Sequence, residues 1–318
     1  MTRQGHAVVM GATGLVGSAL VRQLLDDGWK VTATVRDTTA AARVLDALQD
    51  ARLVTLADAL DGGAVYSLLV ESRPDVVVNC ISTNPTSGND AARAYGSMNV
   101  TAVAVALDAC VRSDVGRAVV FGSGFEYAPA SYPLDEKEPI GPTTLYGATK
   151  AAGSVIANYF RAVARLDVCV VRPFSVYGPR ERRNRFVPYV ITAALSGSPI
   201  ETSAGAQRRD YLYVEDLAEG LARLVRHYGP LPEALNFAGP EEHTLLDIAT
   251  IALEIVGPQA PLRAGVRPEN PGDRPIFLGD SRLAREMIEW RPVHDLRSGL
   301  AKTIEWYRVH REFWEMRT

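Results

Sequence analysis

The amino-acid sequence predicts an α/β protein built on a doubly wound parallel sheet, with a smaller C-terminal lobe. In the first half of the chain, short β-branched runs alternate with longer helical patterns, which is typical of parallel βαβ units. Several of these runs consist almost entirely of Val, Leu and Ile, as expected of strands that helices cover on both faces. After Arg172, proline and glycine become frequent and the alternation stops, which indicates the start of the second lobe.

The elements of the first half follow in a regular order. A strand over 6–10 leads into a helix over 13–27 and a second strand over 30–35. Further strands are predicted at 52–56, 75–80, 117–122 and 167–172, and two long helices at 90–112 and 145–165. We therefore expect residues 1–172 to form the first domain and 173–318 mainly the second. Because 211–227 has the pattern of a strand that leads into a helix, residues 207–238 are expected to return to the first domain.

Composition and charge exclude several classes of protein. The 318 residues are 47% apolar, too apolar for a disordered chain, and 34 basic against 37 acidic side chains leave a formal charge of -3. This balance argues against nucleic acid as a partner. The three cysteines, Cys80, Cys110 and Cys169, and the five histidines lack the spacing of a metal site. The N-terminus has no basic leader before a long apolar stretch, so we expect a cytoplasmic protein without a membrane partner.

A glycine-rich loop directly follows the first strand. Residues 8–17 spell VVMGATGLVG, in which three glycines recur every third residue at the mouth of an amphipathic helix. In this context the first glycine allows a tight turn, the second lets the backbone approach a pyrophosphate, and the third lets helix and strand pack closely. An ordinary Gly-rich turn is the alternative. The residues expected at the phosphates of a dinucleotide are Gly11, Thr13, Gly14, Leu15, Val16 and Gly17.

The residue after the second strand predicts which dinucleotide is bound. NAD sites usually place a carboxylate there, whereas this chain has Arg36, whose guanidinium suits a 2′-phosphate. We therefore expect NADP(H), with NAD(H) less favoured. The alternative is that Arg36 is solvated and Asp37 takes the place of the carboxylate. Asp58, with Ala59 beside it, follows the third strand and is expected at the adenine edge, although an Asp there also suits a turn.

A tyrosine and a lysine form the candidate catalytic pair. Tyr146 and Lys150 lie four residues apart at the start of a predicted helix, so their side chains share one face. Because a nearby cation favours the phenolate, Lys150 is expected to lower the pKa of Tyr146 and also to hold the nicotinamide ribose. Ser123 follows a strand and can donate to a substrate oxygen. Tyr-x-x-x-Lys is common by itself, but with the glycine loop and Ser123 it is a specific signal.

Further motifs run through nearly the whole chain. They are GATGLVG, the MNVT segment around Asn99, GSGFEY, LYGATK, VVRPFSVYGPR, RRDYLYVEDLAEG and the closing EWRP. With them the sequence resembles the extended short-chain dehydrogenase/reductase family, of the NAD(P)-dependent sugar epimerase/dehydratase type with a Rossmann domain. The resemblance implies that Ser123, Tyr146 and Lys150 form a catalytic triad, and that the protein is a homodimer paired through 90–112 and 145–165. The further cofactor contacts that it implies are Cys80, Ile81, Ser82, Asn99, Tyr146, Lys150 and Pro173.

Departures from the family pattern indicate the reaction. Sugar dehydratases of the family carry an Asp-Glu pair directly after the catalytic Ser or Thr, where this chain has Gly124 and Phe125. Dehydration is therefore disfavoured. GSGFEY is most similar to 4-ketoreductases that act on nucleotide-activated deoxysugars, whereas VTATVRD resembles NADPH-dependent reductases of flavonoid-type ketones.

The sequence thus predicts an NADPH-dependent reductase of the 4-keto group of a nucleotide-diphosphate 4-keto-6-deoxysugar, with dTDP as the expected nucleotide. Two alternatives stay open: a nucleotide-sugar 4-epimerase with retained NAD, and a non-catalytic NADP-binding protein. Arg209 matches the family's Arg before the Asp-Tyr strand and is expected at the substrate diphosphate. The basic run over 180–185 has the same role or is a solvated face. The predicted substrate contacts are Ser82, Ser123, Gly124, Phe125, Ser175, Phe186, Arg209 and Arg274.

Overall fold

The structure is a computed structural model of the chain that describes residues 4–37, 48–83, 90–257, 260–270 and 272–315. The strands are β1 (His6–Met10), β2 (Lys30–Val35), β3 (Arg52–Thr55), β4 (Val76–Asn79), β5 (Arg117–Phe121), β6 (Asp167–Pro173), β7 (Ser175–Tyr177), β8 (Ile200–Glu201), β9 (Arg208–Tyr213), β10 (Ala234–Phe237), β11 (Glu242–Thr244), β12 (Leu262–Arg263) and β13 (Ile276–Phe277). The helices are α1 (Leu15–Asp26), α2 (Gly62–Ser72), α3 (Ala91–Arg112), α4 (Leu145–Ala164), α5 (Phe186–Ser196), α6 (Val214–Arg226), α7 (Leu245–Val256), α8 (Arg282–Ile288), α9 (Leu296–Val309) and α10 (Glu312–Glu315).

The main sheet has seven parallel strands within the described residues, in the order β10-β6-β5-β4-β1-β2-β3. The doubly wound fold predicted from the alternating pattern is therefore confirmed, and the six strands predicted from sequence agree with the observed bounds to within one residue at each end. The chain builds from β1 to β3 on one side, then crosses to β4 and builds the other half. The strand order thus reverses between β1 and β4, and such sheets bind ligands outside the carboxyl ends at this point.

Helices bury both faces of the main sheet. Side chains alternate along a strand, so Ala7 and Val9 of β1 face one helical layer while Val8 and Met10 face the other, and all four are fully buried. Helices α1 and α6 cover the first face, and α2 and α3 cover the second. The central strands β1 and β4 are mostly apolar because helices cover the sheet on both faces there.

The second lobe is built around a small sheet. Strand β9 lies at its centre and pairs with β7, β11 and β13. Helices α5, α7 and α9 pack around this sheet in a separate apolar cluster. Helix α6 packs against α1, and β10 joins the edge of the main sheet beside β6. The domain boundaries at residues 172, 207 and 238 stay a prediction.

Helix α3 combines an apolar composition with an irregular turn. Residues Gly96–Thr101 form a π-helical stretch in its interior. By length and composition, α3 is the one helix among the described residues that could cross a membrane. Its Val103, Leu107 and Cys110 side chains are buried against the main sheet, and a core helix passes the same test of length and composition.

We expect the exposed stripe of α4 to pair with a second copy of the chain. Val155, Tyr159 and Val163 recur every fourth residue along this helix, with 68%, 58% and 64% of their surface exposed. A contiguous apolar stripe of this kind is typical of an interaction surface. Light scattering at micromolar concentration should give the mass of a dimer, and Val155→Glu should give that of a monomer because it buries a charge in the interface.

A matched control uses an aromatic side chain that is exposed elsewhere. Tyr228 is fully exposed and lies outside α3 and α4, so Tyr228→Glu should leave the mass unchanged. A wild-type protein with the mass of a monomer would show that this stripe is simply solvated.

Candidate active site

The carboxyl ends of β1, β4 and β5 bring together the loops that the sequence motifs predict. The glycine loop follows β1, Cys80 follows β4, and the backbone N–H of Cys80 donates to the carbonyl oxygen of Met10 at 2.9 Å. Ser123 lies two residues beyond β5. Lys150 of α4 reaches the same edge, where its ammonium donates to the carbonyl oxygen of Phe121 at 2.9 Å. The predicted cofactor loop and the predicted catalytic residues therefore share one edge of the sheet.

The glycine loop leaves space that a side chain would fill. Gly11 has a φ of 78°, in the left-handed region that favours glycine. A Cβ on Gly17 would lie 2.3 Å from the carbonyl oxygen of Gly11, so this glycine lets α1 approach the loop. Among the described residues no side chain caps the first turn of α1, which begins after Gly14, and that turn holds no acidic residue. Its unpaired N–H groups fit the pyrophosphate of a dinucleotide.

Three of the predicted cofactor residues use their side chains for packing. Leu15 packs between α1 and α6, while Val16 and Ile81 pack partly against the two apolar layers of the main sheet. Contact of these residues with a dinucleotide would therefore be through their backbone. Thr13 is half-buried in the glycine loop. Cys80 is also half-buried, and burial raises the pKa of its thiol to about 12.

The residues predicted at the adenosine half of the cofactor lie at the surface. Arg36 directly follows β2, its side chain is 78% exposed, and its Nε lies 3.5 Å from an oxygen of Asp37. Asp58 accepts a hydrogen bond from the backbone N–H of Leu60 at 2.9 Å. Its side chain therefore stabilises a turn, which is the alternative role that the sequence allowed for it. Ala59 is half-buried against the second apolar layer.

A chain of hydrogen bonds joins the loop after β4 to the candidate catalytic helix. The Ser82 hydroxyl donates to Oδ1 of Asn99 at 3.2 Å, and the Asn99 amide donates to the Thr149 hydroxyl at 3.1 Å. That hydroxyl in turn donates to the carbonyl oxygen of Tyr146 at 3.0 Å. Asn99 lies in the π-helical stretch of α3 and is 1% exposed. It thus connects three elements at the site.

Ser123 caps a short 3₁₀ turn, Gly124–Glu126. Its Oγ accepts a hydrogen bond from the backbone N–H of Phe125 at 3.2 Å, and the residue is 5% exposed. Because a hydroxyl has one proton and this contact uses only its acceptor, the proton is left for donation. Burial raises the pKa of Tyr146 and hydrogen bonding with Ser123 opposes this rise, so the two hydroxyls lie close together. The turn therefore directs Ser123 towards the oxygen that Tyr146 would also contact.

Burial dominates the electrostatics of the tyrosine and the lysine. Lys150 is 2% exposed, and burial lowers the pKa of its ammonium to about 8. Burial also raises the pKa of Tyr146, which hydrogen bonding to Ser123 and the charge of Arg185 oppose only in part. The expected net lowering of the Tyr146 pKa is therefore wrong. The Lys150 ammonium lies 6.0 Å from the centroid of the phenol ring and donates elsewhere, so burial has the larger effect.

The structure adds a buried carboxylate that the sequence analysis missed. Glu126 ends the turn that Ser123 begins, and it is fully buried. Its Oε1 accepts from the backbone N–H of Ser123 at 2.9 Å. Its Oε2 accepts from the Ser154 hydroxyl at 2.8 Å and from Nε of Arg172 at 2.9 Å. A signal for it was present, since Ser-x-x-Glu is the pattern of a capping box, and the structure forms that box.

Aromatic rings pack beside the candidate catalytic tyrosine. The ring of Phe125 lies 6.2 Å from that of Tyr146 and 4.4 Å from that of Phe277, measured between centroids. Gly124 lies against Phe174, and a Cβ on it would lie 2.7 Å from that ring. The two residues after the serine therefore contribute apolar packing next to Tyr146.

Two of the predicted substrate residues are buried arginines. Arg209 and Arg274 are 6% and 3% exposed, and Arg209 forms an ion pair with Asp273. Arg274 donates to the carbonyl oxygens of Phe125 and Tyr127 at 3.2 and 2.7 Å. Its Nε and Nη1 are buried and have no hydrogen-bond partner among the described residues. Burial and the charge of Arg209 lower the pKa of Arg274, so an anion bound here would stabilise both cations.

The remaining predicted contacts lie around this centre. Pro173 ends β6, Ser175 begins β7 and pairs with Tyr211 of β9, and Phe186 packs partly against the apolar cluster of the second lobe. From the basic run, Arg185 lies 3.4 Å from a Glu181 oxygen and its charge acts on Tyr146. Across the described residues, no group of three or more His, Cys, Asp and Glu side chains is arranged to hold a metal ion.

Known proteins match the chain over almost its whole length. The model of the NAD dependent epimerase/dehydratase family matches residues 7–238. The chain is 30% identical to a dTDP-glucose 4,6-dehydratase of Streptomyces antibioticus, over 98% of this chain and 94% of that protein. It is 31% identical to a dTDP-4-dehydro-6-deoxy-D-allose reductase of Streptomyces bikiniensis, over 95% of this chain and 96% of that protein.

The fold is similar to that of a UDP-glucuronic acid 4-epimerase from Bacillus cereus, solved in complex with UDP-glucuronic acid and NAD. The TM-score is 0.88 at 22% identity, over 96% of this chain and 99% of that one. A dehydratase and a reductase thus match at nearly equal identity and an epimerase has a similar fold, so similarity does not distinguish their reactions. From the family model and these relatives, we conclude that the chain belongs to the NAD dependent epimerase/dehydratase family, among the extended short-chain dehydrogenases/reductases.

Proposed function

We propose that the protein reduces the 4-keto group of a dTDP-4-keto-6-deoxysugar with NADPH. The observation that carries the reductase assignment is the apolar pair Gly124 and Phe125 after Ser123. Loss of a sugar hydroxyl needs a proton donor beside the leaving group, which the family's dehydratases are expected to supply with Asp-Glu at this place. Here Phe125 packs beside Tyr146. The nearby Glu126 is occupied by three hydrogen-bond donors and is not exposed to a substrate.

The residues of the site suit reduction of a ketone. A bound reduced nicotinamide would supply the hydride. Burial raises the pKa of Tyr146, so its phenol is protonated at neutral pH and can give its proton to the ketone oxygen. We assign the Ser123 hydroxyl to a hydrogen bond with the same oxygen, where negative charge develops during reduction. We assign Lys150, at the cofactor edge, to the nicotinamide ribose.

The residues beyond the reacting carbon support the substrate class. The half-buried ring of Phe125, which packs on Phe277, suits the methyl group of a 6-deoxysugar better than a hydroxymethyl group. The buried guanidinium groups of Arg209 and Arg274 suit a diphosphate. Two nitrogen donors of Arg274, Nε and Nη1, have no acceptor among the described residues and could bind it. The Streptomyces bikiniensis relative is named as a reductase of a dTDP-4-keto-6-deoxysugar.

The direct test is turnover with a panel of nucleotide sugars. The protein is incubated with NADPH and dTDP- or UDP-linked 4-keto sugars, and absorbance is followed at the reduced-nicotinamide band. Stoichiometric oxidation of NADPH with the dTDP-4-keto-6-deoxysugar supports the proposal. Interconversion of 4-epimers without net oxidation would identify an epimerase with retained NAD. Cofactor binding without turnover on any sugar would identify a binding protein, and preferred reduction of aromatic ketones would indicate the flavonoid-type reaction.

Removing the Tyr146 hydroxyl tests the proton donor. Tyr146→Phe should lower kcat by roughly 10²- to 10⁴-fold, because a general acid is lost from the transition state. The melting temperature and NADPH binding should stay close to wild type, since only one hydroxyl is removed. Tyr95→Phe is the matched control, because the Tyr95 ring lies 5.9 Å from that of Tyr146 and should not transfer the proton. Equal loss in both variants would assign Tyr146 a packing role.

Removing the Arg209 guanidinium tests the diphosphate contact. Arg209→Ala should mainly raise KM for the nucleotide sugar, because the charge contact is made in both ground and transition states. Reduction of a small uncharged ketone should hardly change. Arg208→Ala is the control, because Arg208 is an exposed neighbour paired with Glu242 on the surface. Equal loss on both ketones would show that Arg209 is structural and acts through its pair with Asp273.

Removing the Arg36 guanidinium tests cofactor choice. Arg36→Ala should weaken NADPH binding far more than NADH binding, by about 1.5–3 kcal/mol for a lost charge-assisted contact. The lower end is expected because the side chain is 78% exposed and therefore screened by solvent. Cofactor fluorescence titrations measure both affinities. Asp37→Asn is the control: selective loss of NADH binding in that variant, with no effect of Arg36→Ala, would make Asp37 the ribose contact and NAD the cofactor.

A further inference from the structure

The carboxylate of Glu126 is surrounded by donors and contacts the segment that carries the candidate catalytic serine. It lies below the edge of the sheet with no exposed surface. Its three partners are the Ser123 backbone N–H, the Ser154 hydroxyl and Nε of Arg172, at 2.9, 2.8 and 2.9 Å. All three donate, so the carboxylate accepts hydrogen bonds on both of its oxygens.

Helix α4 brings Lys150 to the same place. Lys150 and Ser154 lie four residues apart, so they share the face of α4 that packs against the turn after β5. Ser154 contacts Glu126, and Lys150 contacts the Phe121 carbonyl at the start of the same segment. The Ser154 hydroxyl and the Lys150 ammonium thus contact opposite ends of the six-residue segment 121–126, and Ser123 lies between these ends.

We infer that Glu126 is a positioning residue that fixes Ser123 in its turn and keeps the Lys150 ammonium charged at the active edge. The inference rests on the proposed function only for the use that the reaction makes of that charge. Loss of a proton from Lys150 would leave a neutral amine where a cation should hold the cofactor ribose. Glu126 opposes this loss because its negative charge stabilises the ammonium across the turn.

The electrostatics of the surrounding elements agree with this geometry. Burial lowers the pKa of Lys150 to about 8, and Glu126 is the main group that raises it. The other titratable neighbour, Cys80 after β4, is a neutral thiol at this pH because burial raises its pKa to about 12. On the lysine's own helix the titratable neighbour is Tyr146, at 6.0 Å from ammonium to ring centroid. Arg172 of β6 faces Glu126 and not Lys150, since its other donor contacts the Tyr127 hydroxyl at 2.9 Å. One carboxylate therefore faces the lysine from the neighbouring elements that the structure describes.

The sequence makes a direct measurement practical, because the chain holds only four lysines. Lys30, Lys137 and Lys302 are exposed, so Lys150 has a distinct environment. Protein labelled with ¹³C at the lysine Cε gives four signals, and the Lys150→Met variant identifies the signal of Lys150 by its loss. The change of that signal with pH gives the midpoint of deprotonation of the Lys150 ammonium, and the measurement needs no sugar or cofactor.

In the wild type the Lys150 signal should titrate near pH 8. In Glu126→Gln, which keeps the shape and removes the charge, the midpoint should fall by about one pH unit or more. Ser154→Ala is the matched control, because it removes a hydrogen bond from Glu126 and leaves every charge in place, so its midpoint should stay at the wild-type value. An unmoved midpoint in Glu126→Gln, or an equal shift in Ser154→Ala, would overturn the inference.

A second variant covers the case in which Glu126→Gln does not fold. That change leaves the buried Arg172 guanidinium facing an amide N–H₂ group, which is costly. Glu126→Gln/Arg172→Met removes both buried charges and restores an uncharged core. Glu126 is the charge that raises the pKa of Lys150 most, so the midpoint of the double variant should also lie below the wild-type value, by less than in Glu126→Gln because a cation is removed with the carboxylate. A wild-type midpoint in the double variant would likewise overturn the inference.

The kinetic consequence separates this inference from the proposed function. Where a sugar is reduced, the pH at which kcat falls on the alkaline side should shift down in Glu126→Gln with the NMR midpoint, with little change in KM. If Glu126 had only a structural role, Glu126→Gln would lower stability and activity at every pH and would not change the pH at which kcat falls on the alkaline side. A protein that reduces no sugar in the panel overturns the proposed function and leaves the NMR result intact, whereas an unmoved midpoint in an active reductase overturns only the role of Glu126.

Discussion

The active edge is arranged around a lysine ammonium that is buried away from water. Moving such a charge into a protein interior costs several kcal/mol unless fixed partners replace the solvent. Lys150 has two such partners, the carbonyl of Phe121 and the charge of Glu126, and both belong to the segment that leaves β5. The end of the strand, the 3₁₀ turn and the orientation of Ser123 are therefore linked to the position of α4.

Glycines permit this arrangement through close approach. A Cβ on Gly122 would lie 2.2 Å from Oε1 of Glu126, so the carboxylate occupies the volume that a larger residue would take. On α4, a Cβ on Gly147 would lie 2.3 Å from the carbonyl oxygen of Phe125, and one on Gly153 would lie 2.4 Å from that of Asn99. The helix thus approaches the backbone of the turn and of α3 without side chains between them, and this brings Lys150 within reach of the sheet edge.

The sequence predicts most of the fold because the information is local. The apolar runs of β1, β4 and β5 and the glycine loop between β1 and α1 are each contained in a few consecutive residues, and strand ends determine where their side chains meet. Site properties that depend on distant partners were missed. Arg172 lies 46 residues from Glu126 and Asp273 lies 64 residues from Arg209, and no short motif connects either pair. The pKa of Tyr146 was predicted in the wrong direction because its burial depends on Phe125, Tyr95 and other parts of the fold.

The fold supports several reactions because the atoms that differ between them lie outside its core. A dehydratase and a reductase match this chain at 30% and 31% identity over nearly its whole length, and an epimerase has a similar fold, so the fold alone does not determine the reaction. A residue within reach of the sugar can instead change which bond breaks. Positions 124 and 125 follow the serine directly, and in this chain they are packed by Phe174 and Phe277. An acid introduced at position 124 would lie against the Phe174 ring, so a change of reaction through this position would require the aromatic layer behind it to change as well.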